Sequence, residues 1–292
     1  MDLRQIEYFV AVAEEANFTK AAERVHITQS GVSAQIRQFE REVGAELFDR
    51  SSRTVRLTAA GQAALPYARS ALAAAEGFRQ AVDDVTGLVR GQLRLGMVVG
   101  CTVTPLFEAL AAFHYAHPSI EITLSEANSD VLVEQVRAGV VDVALIGAAG
   151  EVPDGLTAHT VVSDGLVAVV PPEHALAAAT EVTLRRLLAY QLICLPEGTG
   201  IRSVLDQACV AAGVRPKVAL QATAPGAVAG LADRGLGVAI LSSSTAAAHP
   251  ELIAVPITDV AVPALLALVW RTEGTVLAAF LPYCRKTFAA PE

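Results

Sequence analysis

Hydrophobic positions in the first sixty residues recur at helical spacing in three short segments. The apolar stripe of the first predicted helix consists of Leu3, Ile6, Val10 and Ala13. A second helix is predicted over 20–25, with Thr19 as its N-cap. A third helix is predicted to begin after Thr28 and to end at Gly44, where a glycine C-cap belongs. The apolar side of this third helix consists of Val32, Ile36, Phe39 and Val43.

The opposite side of the third helix is small and polar, and it carries two arginines. Its residues are Ser30, Ser33, Ala34, Arg37 and Arg41. Such a surface suits the major groove of DNA, because small residues permit close approach, hydroxyls bond base edges or phosphates, and arginine pairs bidentately with guanine. An ordinary amphipathic surface helix also has a polar side, and periodicity alone does not separate the two interpretations.

The segment 46–58 follows the third helix and predicts two short strands around a polar turn. Arg50, Arg53 and Arg56 lie in or beside this turn. They are either solvated hairpin charges or contacts to DNA phosphates, and their position next to the third helix favours the contacts. The first segment therefore predicts a winged helix-turn-helix.

A long helix is predicted over about 59–89, with an apolar repeat in alternating steps of four and three residues. The repeat consists of Ala64, Ala68, Ala71, Ala75, Phe78 and Val82. This spacing is that of a coiled-coil seam, so the helix is expected to join two copies of the chain. Because alanine buries little area, the seam alone would be weak. The alternative is a helix that packs on its own domain.

Strand and helix patterns alternate after Gly91, and the strands are continuous apolar runs. Strands are predicted over 92–99, 120–124, 141–147, 165–170, 192–195, 218–221, 238–241 and 265–270. Helices are predicted over 103–115, 131–138, 201–212, 226–234 and 276–288. This alternation predicts an α/β fold with a mainly parallel sheet covered on both faces.

Ligands of open α/β sheets bind beyond the carboxyl ends of the strands. The candidate ligand-binding residues at these ends are Cys101, Thr102, Asn128, Gly147, Glu197, Thr199 and Thr223. Hydroxyls and helix N-termini suit a small anion or a carboxylate. Glu197, however, would select a cation or repel an anion. The residues therefore do not determine the charge or identity of the ligand. Cys101 is either a lining residue or a redox reporter.

Length and composition narrow the class of protein. The chain has 292 residues, 53% hydrophobic residues and a net charge of -8. This length suggests two domains, and the acidic balance argues against blanket, charge-driven binding to nucleic acid or anionic membranes. No uninterrupted apolar run is long enough to cross a membrane, and the N-terminus lacks a secretory signal, so a cytoplasmic protein without a membrane partner is expected.

The chemistry-bearing residues do not predict an enzyme. The four cysteines show no C-x-x-C spacing, and the histidines offer no metal site. No nucleophile elbow, P-loop, zinc-protease or dinucleotide-binding motif is present. No cofactor or metal is therefore expected.

Charge also limits how one copy would bind DNA. From residue 1 to residue 60, eight basic side chains are offset by nine acidic ones. The basic side chains must therefore cluster on one side of this domain to create a positive potential there, and one copy should bind DNA weakly. Specific affinity then requires two or more linked copies, whose second contact gains from effective concentration.

Five segments, in order and in register, resemble the N-terminal signature of LysR-type transcriptional regulators. They are 3–14, 18–23, 28–36, 47–50 and 57–61. The resemblance implies contacts to bases or nearby phosphates from Gln29, Ser30, Ser33 and Arg37. It implies contacts to the DNA backbone from Thr19, Lys20, Thr28, Arg50 and Arg53. Gly31, Phe39 and Val43 depart from the common pattern, which bears on packing more than on contact chemistry.

The second half resembles the effector-binding domain of the same family, on segments 164–174 and 235–241. That resemblance implies two α/β lobes like those of periplasmic binding proteins, with the ligand between them and the C-terminal strand and helix returning to the first lobe. The expected domains are a DNA-binding domain over 1–58, a linker and dimerisation helix over 59–89, and an effector-binding domain over 90–292. The expected lobes are 90–161 with 266–292, and 162–265.

The sequence thus predicts a DNA-binding transcriptional regulator that responds to a small-molecule effector. The implied partners are double-stranded DNA, the effector, further copies of the chain as a dimer or tetramer, and RNA polymerase. Two other classes compete with this hypothesis. One is a small-molecule-binding protein without DNA readout, such as a solute-binding transport component, and the other is a cytoplasmic enzyme that uses Cys101 or Glu197.

Overall fold

The computed structural model describes residues 1–49, 55–85, 91–101 and 103–288, without the side chains of residues 76 and 79–85. The chain divides into an N-terminal unit, which contains Met1–Leu88, and a C-terminal unit, which contains Val89–Val136 and Val141–Glu292. Within the described part of the chain, no helix is both long enough and apolar enough to span a bilayer.

The N-terminal unit consists of helices joined to a two-stranded hairpin. Its elements are α1 (Leu3–Glu15), α2 (Phe18–Arg24), α3 (Gln29–Val43), β1 (Phe48–Asp49), β2 (Arg56–Leu57) and α4 (Ala59–Val85). The predicted ends of α3 are confirmed, because Thr28 caps its start and Gly44 ends it with a φ of 76°. The predicted cap of α2 is wrong. Asn17 caps that helix, because its side chain accepts from the backbone N–H groups of Thr19 and Lys20.

Aromatic side chains centre the core of the N-terminal unit. The Phe9 ring packs against Phe39 and Phe48 at centroid distances of 6.1 and 5.5 Å. Val32 and Ile36 of α3 are fully buried there, as their spacing predicts. Val43 is instead 43% exposed, so the apolar side of α3 ends one turn earlier than predicted.

The predicted seam of α4 divides into two parts. Ala68 is 8% exposed, and Ala64 and Ala71 also pack against the core of their own unit. This first part therefore follows the alternative interpretation, a helix packed on its own domain, because α1 covers it. Further along, Ala75 is half-buried and Phe78 is 72% exposed. The side chain of Val82 lies outside the described residues.

The C-terminal unit contains two five-stranded sheets. Its strands are β3 (Gly91–Val98), β4 (Ile120–Ala127), β5 (Val143–Ala149), β6 (Thr157–Asp164), β7 (Leu166–Val170), β8 (Leu192–Cys194), β9 (Val218–Gln221), β10 (Val238–Ser242), β11 (Ile253–Pro256) and β12 (Ala264–Trp270). Its helices are α5 (Thr104–Ala116), α6 (Ser129–Arg137), α7 (Leu184–Leu187), α8 (Gly200–Ala211), α9 (Pro225–Asp233), α10 (Ser243–Ala247) and α11 (Thr275–Phe288).

The two sheets define two lobes. Lobe I contains the sheet of order β4-β3-β5-β12-β6, and lobe II contains the sheet of order β11-β7-β10-β8-β9. Apolar clusters lie on both faces of each sheet, so the predicted two-sided cover is confirmed. Strand β12 returns to the first sheet and pairs with β5 and β6, which is the expected return of the C-terminal segment to lobe I.

The prediction of a mainly parallel sheet is only partly right. Three neighbouring strands of each lobe pair in parallel, namely β4, β3 and β5 in lobe I and β10, β8 and β9 in lobe II. Strand β12 is antiparallel to both of its neighbours, and so is β7. Antiparallel strands are required because the chain crosses between the lobes and enters the sheets from the opposite end.

Candidate functional site

The exposed side of α3 carries the residues predicted to read DNA. Gln29, Ser30, Ala34 and Arg37 are exposed, and Ser33 is half-buried. The opposite side is held rigidly, because Val32 and Ile36 have no exposed surface. The helix therefore presents a small polar surface on a fixed apolar support, as the spacing of its residues predicts.

The N-terminus of α3 is fixed by a hydroxyl pair. Thr28 Oγ1 accepts a hydrogen bond from the backbone N–H of Gly31 at 3.1 Å, and it lies 3.2 Å from Ser30 Oγ. At the start of α2, Thr19 and Lys20 are exposed. Their backbone N–H groups are already bound to Asn17, so a contact from these two residues to another molecule would come from their side chains.

Charge is distributed unevenly around α3. Among the residues that the structure describes, Arg37 and Arg41 form no ion pair. Glu40 is buried, and its carboxylate accepts from the backbone N–H groups of Leu47 and Phe48 at 2.9 and 3.2 Å. Glu42 forms an ion pair with the N-terminal ammonium group, whose hydrogen bond lowers the pKa of this carboxyl. Glu40 and Glu42 thus have hydrogen-bond or ion-pair partners of their own, while Arg37 and Arg41 can form ion pairs with another molecule.

The hairpin after α3 is docked onto the start of α4. Thr58 Oγ1 donates to the Glu46 carbonyl at 2.7 Å, and the Thr58 N–H donates to the Leu47 carbonyl at 3.0 Å. Gly61 lies against the residue that precedes β1, since a Cβ on Gly61 would be 2.1 Å from the Leu47 carbonyl oxygen. Arg56 is exposed on β2. Arg50 and Arg53, both predicted to contact DNA, lie outside the described residues.

In the C-terminal unit, the loops predicted to line a ligand site meet between the lobes. Ser129, the first residue of α6, is buried, and its Oγ accepts from the backbone N–H of Gly147 at 3.0 Å. Gly147 in turn contacts Gly200 at the start of α8, because a Cβ on Gly147 would lie 3.2 Å from the Gly200 Cα atom. Lobe I and lobe II are therefore in direct backbone contact at this point.

Two more contacts join the same loops. A Cβ on Gly198 would lie 2.6 Å from a carboxylate oxygen of Asp130, and the Asp130 N–H points at the Gly198 carbonyl at 3.4 Å. A Cβ on Gly100 would lie 3.1 Å from Pro225 at the start of α9. Glycine is required at 198 and 100 for a further reason, since their φ angles are 85° and 69°.

The other predicted ligand-binding residues lie in or beside these loops. Cys101 is half-buried, and burial raises the pKa of its thiol. Asn128 precedes α6 and is half-buried, while Thr223 is exposed just before the loop that contacts Gly100. Thr199 donates its hydroxyl to the Pro196 carbonyl at 2.8 Å. Thr102 lies outside the described residues.

One residue at this site is not among the sequence predictions. Arg202 in the first turn of α8 is 7% exposed, and its Nε donates to Asp206 at 2.9 Å. Its Nη2 lies 3.5 Å from a carboxylate oxygen of Glu197. Glu197, which the sequence predicts to bind the ligand, therefore has a positively charged neighbour. An arginine within a helical pattern is ordinarily a surface residue, and no signal in the sequence distinguishes it.

Comparison with protein families assigns both units. The family described as a bacterial regulatory helix-turn-helix protein of the lysR family matches residues 3–62, and the LysR substrate binding domain matches residues 86–289. The HTH-type transcriptional regulator ShiR of Corynebacterium glutamicum (strain R) is 34% identical over 276 residues, which are 92% of this chain and 92% of ShiR.

Solved structures agree with this assignment. A full-length OxyR variant of Pseudomonas aeruginosa matches with a TM-score of 0.74 at 22% identity, over 99% of this chain and 95% of that chain, which establishes the shared fold. Full-length CbnR in complex with its target DNA matches with a TM-score of 0.62 at 25% identity, over 98% of this chain and 100% of that chain. This chain belongs to the LysR-type transcriptional regulators, which are DNA-binding proteins with an effector-binding domain and are not enzymes.

Proposed function

We propose that this regulator reads its operator through the exposed side of α3. Gln29, Ser30, Ser33 and Arg37 contact base edges or adjacent phosphates, since they form the polar surface opposite the buried side. The observation that carries this assignment is the arrangement of Arg37 and Arg41, which are one turn apart and free of ion pairs among the described residues.

The contacts to the DNA backbone come from residues on either side of α3. We assign this role to Thr19, Lys20 and Thr28, together with Arg50 and Arg53. Such contacts fix the register of a protein on the duplex and carry little sequence information. Full-length CbnR, a relative of the same architecture, has been solved with its target DNA, which supports the assignment of DNA as the partner.

A dimer or tetramer is the proposed working form. The near balance of charges in the first sixty residues makes one DNA-binding unit a weak binder, so two linked units are needed for specific affinity. Among the described side chains of the predicted seam, the exposed Phe78 and the half-buried Ala75 of α4 are the ones that the core of their own unit does not include. We therefore place the contact between copies on this part of α4 and beyond.

The effector is proposed to bind between the two lobes. The loops that carry Cys101, Asn128, Gly147, Glu197 and Thr199 lie at or beside the contacts between the lobes. Thr102 and Thr223 complete the proposed set. A ligand that binds one arrangement of the lobes better than another shifts the equilibrium between them, and this shift is the proposed signal to the DNA-binding unit. The proposed site of action is the bacterial cytoplasm, with RNA polymerase as the downstream partner.

Selection of genomic DNA fragments by the purified protein tests this function. The experiment is run with and without a panel of metabolites. Enrichment of a small set of fragments, with a change in that set or its occupancy upon addition of one metabolite, is expected. Uniform recovery of all fragments would contradict sequence-specific binding. Specific recovery that no metabolite alters would leave the DNA readout intact and contradict the effector response.

A further inference from the structure

The carboxylate of Glu14, in the last turn of α1, binds arginines from two other helices. Its Oε1 accepts from Arg69 of α4, at 3.2 Å from Nε and 2.9 Å from Nη2. Its Oε2 lies 2.8 Å from Nη1 of Arg24, the last residue of α2. The side chains of Arg69 and Glu14 are 30% and 28% exposed, so their ion pair is partly shielded from water. Glu14 thus joins α4 to the helices of the DNA-binding unit.

The hydrogen bonding of α4 is interrupted shortly before Arg69. Pro66 lies inside the helix and has no N–H, so the helical bond to the carbonyl of residue 62 cannot form. Long helices bend most easily at such a position. The contact of Gly61 with Leu47 fixes α4 before this proline. The contacts after Pro66 therefore set the direction in which the rest of α4 continues.

The contacts after Pro66 end within two turns. The apolar ones come from Ala68, Ala71 and Leu72, and the core of the N-terminal unit includes no described residue of α4 beyond Leu72. Alanine side chains bury little area, so they oppose a rotation of the helix only weakly. The pair of Arg69 and Glu14 lies in the same stretch and adds a directional contact, because hydrogen bonds require alignment of donor and acceptor.

We propose that Glu14 and Arg69 are positioning residues, which set the angle between the DNA-binding unit and the part of α4 beyond Leu72. The inference rests on the proposed dimer, in which two such helices hold two DNA-binding units at one separation. Neither side chain belongs to the proposed DNA-reading surface. Loss of their ion pair therefore leaves each α3 intact and makes the spacing between the two copies of α3 less precise. The pair thus selects operators with one fixed distance between half-sites.

Titration of DNA with the full-length protein, followed by gel shift, tests the proposal. The probes are a selected genomic fragment with half-sites located by footprinting, the same fragment with one or two base pairs inserted between the half-sites, and a duplex with one half-site. Wild-type protein should prefer the native spacing, because two rigidly held units match one separation. Glu14→Gln should reduce this preference by about two- to fivefold, the range for an exposed ion pair. Its binding to one half-site should be unchanged.

A second variant and a matched control complete the design. Arg69→Gln breaks the same pair from α4 and should give the same spacing profile. The double variant should have no larger effect than either single one, because both changes remove one contact. The control is Glu15→Gln, which removes an equal charge from the neighbouring position. Glu15 lies 3.5 Å from Arg24 and has no ion pair with α4 among the described residues, so its profile should be that of the wild type.

Three results would overturn the inference. They are a wild-type spacing preference in Glu14→Gln, an equal loss of preference in Glu15→Gln, and a loss of half-site binding in Glu14→Gln as large as its loss of operator binding. The last result would show that Glu14 only stabilises the DNA-binding unit. If the wild-type protein prefers one spacing, each of these results leaves the proposed function intact. Equal binding of all spacings by the wild type would instead contradict the proposed dimer, and the inference with it.

Discussion

Gly147 and Gly200 meet backbone to backbone between the two lobes of the effector-binding domain. A Cβ on Gly200 would lie 2.4 Å from the Gly147 carbonyl carbon and 2.6 Å from the Ala148 nitrogen. Backbone atoms cannot move aside as a flexible side chain does, so even one methyl group forces the lobes apart. The contact therefore defines one relative arrangement of the two lobes, which a bound effector would stabilise or destabilise.

Gly200→Ala should destabilise this arrangement. Overpacking at a rigid contact costs about 1–3 kcal/mol, which for a domain of this size corresponds to a fall in Tm of about 2–10 °C. The matched control is Gly226→Ala, near the start of α9, where a Cβ would have only His249 within reach at 3.9 Å. That variant should be as stable as the wild type or slightly more stable, since alanine favours a helix. Thermal unfolding followed by circular dichroism distinguishes them, and equal Tm values would contradict the rigid contact.

Gly61→Ala should destabilise the DNA-binding unit. The new Cβ would lie 2.1 Å from the Leu47 carbonyl oxygen and 2.9 Å from Leu57, so α4 would have to move away from the hairpin. We expect a loss of about 1–3 kcal/mol of unfolding free energy and weaker operator binding. Gly77→Ala, in the same helix but with nothing within 4 Å, should instead add up to about 1 kcal/mol. Chemical denaturation of both variants checks the prediction, which fails if the two changes have the same sign.

The cysteines should be poorly reactive in the folded protein. Burial raises the pKa of Cys194 and of Cys284 to about 12, and it also raises the pKa of Cys209. These three thiols are at most 2% exposed, whereas Cys101 is half-buried. Mass spectrometry after maleimide treatment at pH 7 should therefore find slow labelling at Cys101 alone, and four labelled thiols after denaturation. Rapid labelling of Cys101 would instead support a redox role for it.

Asp142 should make stability depend on pH. Burial raises the pKa of its carboxyl, although a hydrogen bond of 2.7 Å from the Arg94 N–H opposes this shift. A raised pKa means that the folded state disfavours the charged form, so stability is complete below the ordinary value near 3.8 and is lost as pH rises through the folded pKa. Asp142→Asn keeps an acceptor for Arg94 and cannot ionise. The unfolding free energy of this variant relative to the wild type should increase from pH 4 to pH 7. Chemical denaturation of both proteins at each pH measures this difference, and the same difference at pH 4 and pH 7 would contradict the prediction.

Local sequence patterns predicted most elements of the fold. The apolar spacing of α3 placed Val32 and Ile36 in the core, and the cap and stop at Thr28 and Gly44 are local properties of the chain. Strands β6 and β11 escaped prediction because they are half-exposed and lack a continuous apolar run. The antiparallel direction of β12 could not be predicted either, because it follows from a chain crossing between lobes and not from the residues of the strand.

The candidate sites were predictable to different degrees. The polar side of α3 follows from helical periodicity, so the exposure of Ser30 and Arg37 was predicted from spacing alone, and their contact with DNA stays a prediction. The candidate effector site depends on loops that are far apart in sequence. Gly147 and Thr199 were proposed because they lie at the carboxyl ends of predicted strands, which does not show which of their polar atoms are already hydrogen-bonded within the protein. The burial of Arg202 could not be predicted, because it arises from the packing of α8 between two sheets.

The most direct test of the account is a competition titration of the full-length protein and Arg37→Ala at one fixed salt concentration. Each protein is titrated with a selected genomic fragment and with unrelated DNA of equal length. The account predicts that Arg37→Ala loses about 1–3 kcal/mol of discrimination between the two, with a much smaller change in binding to the unrelated DNA. Arg24→Ala, whose guanidinium is paired with Glu14 at 2.8 Å, should keep the wild-type ratio. An unchanged ratio of affinities in Arg37→Ala would contradict base readout by the exposed side of α3.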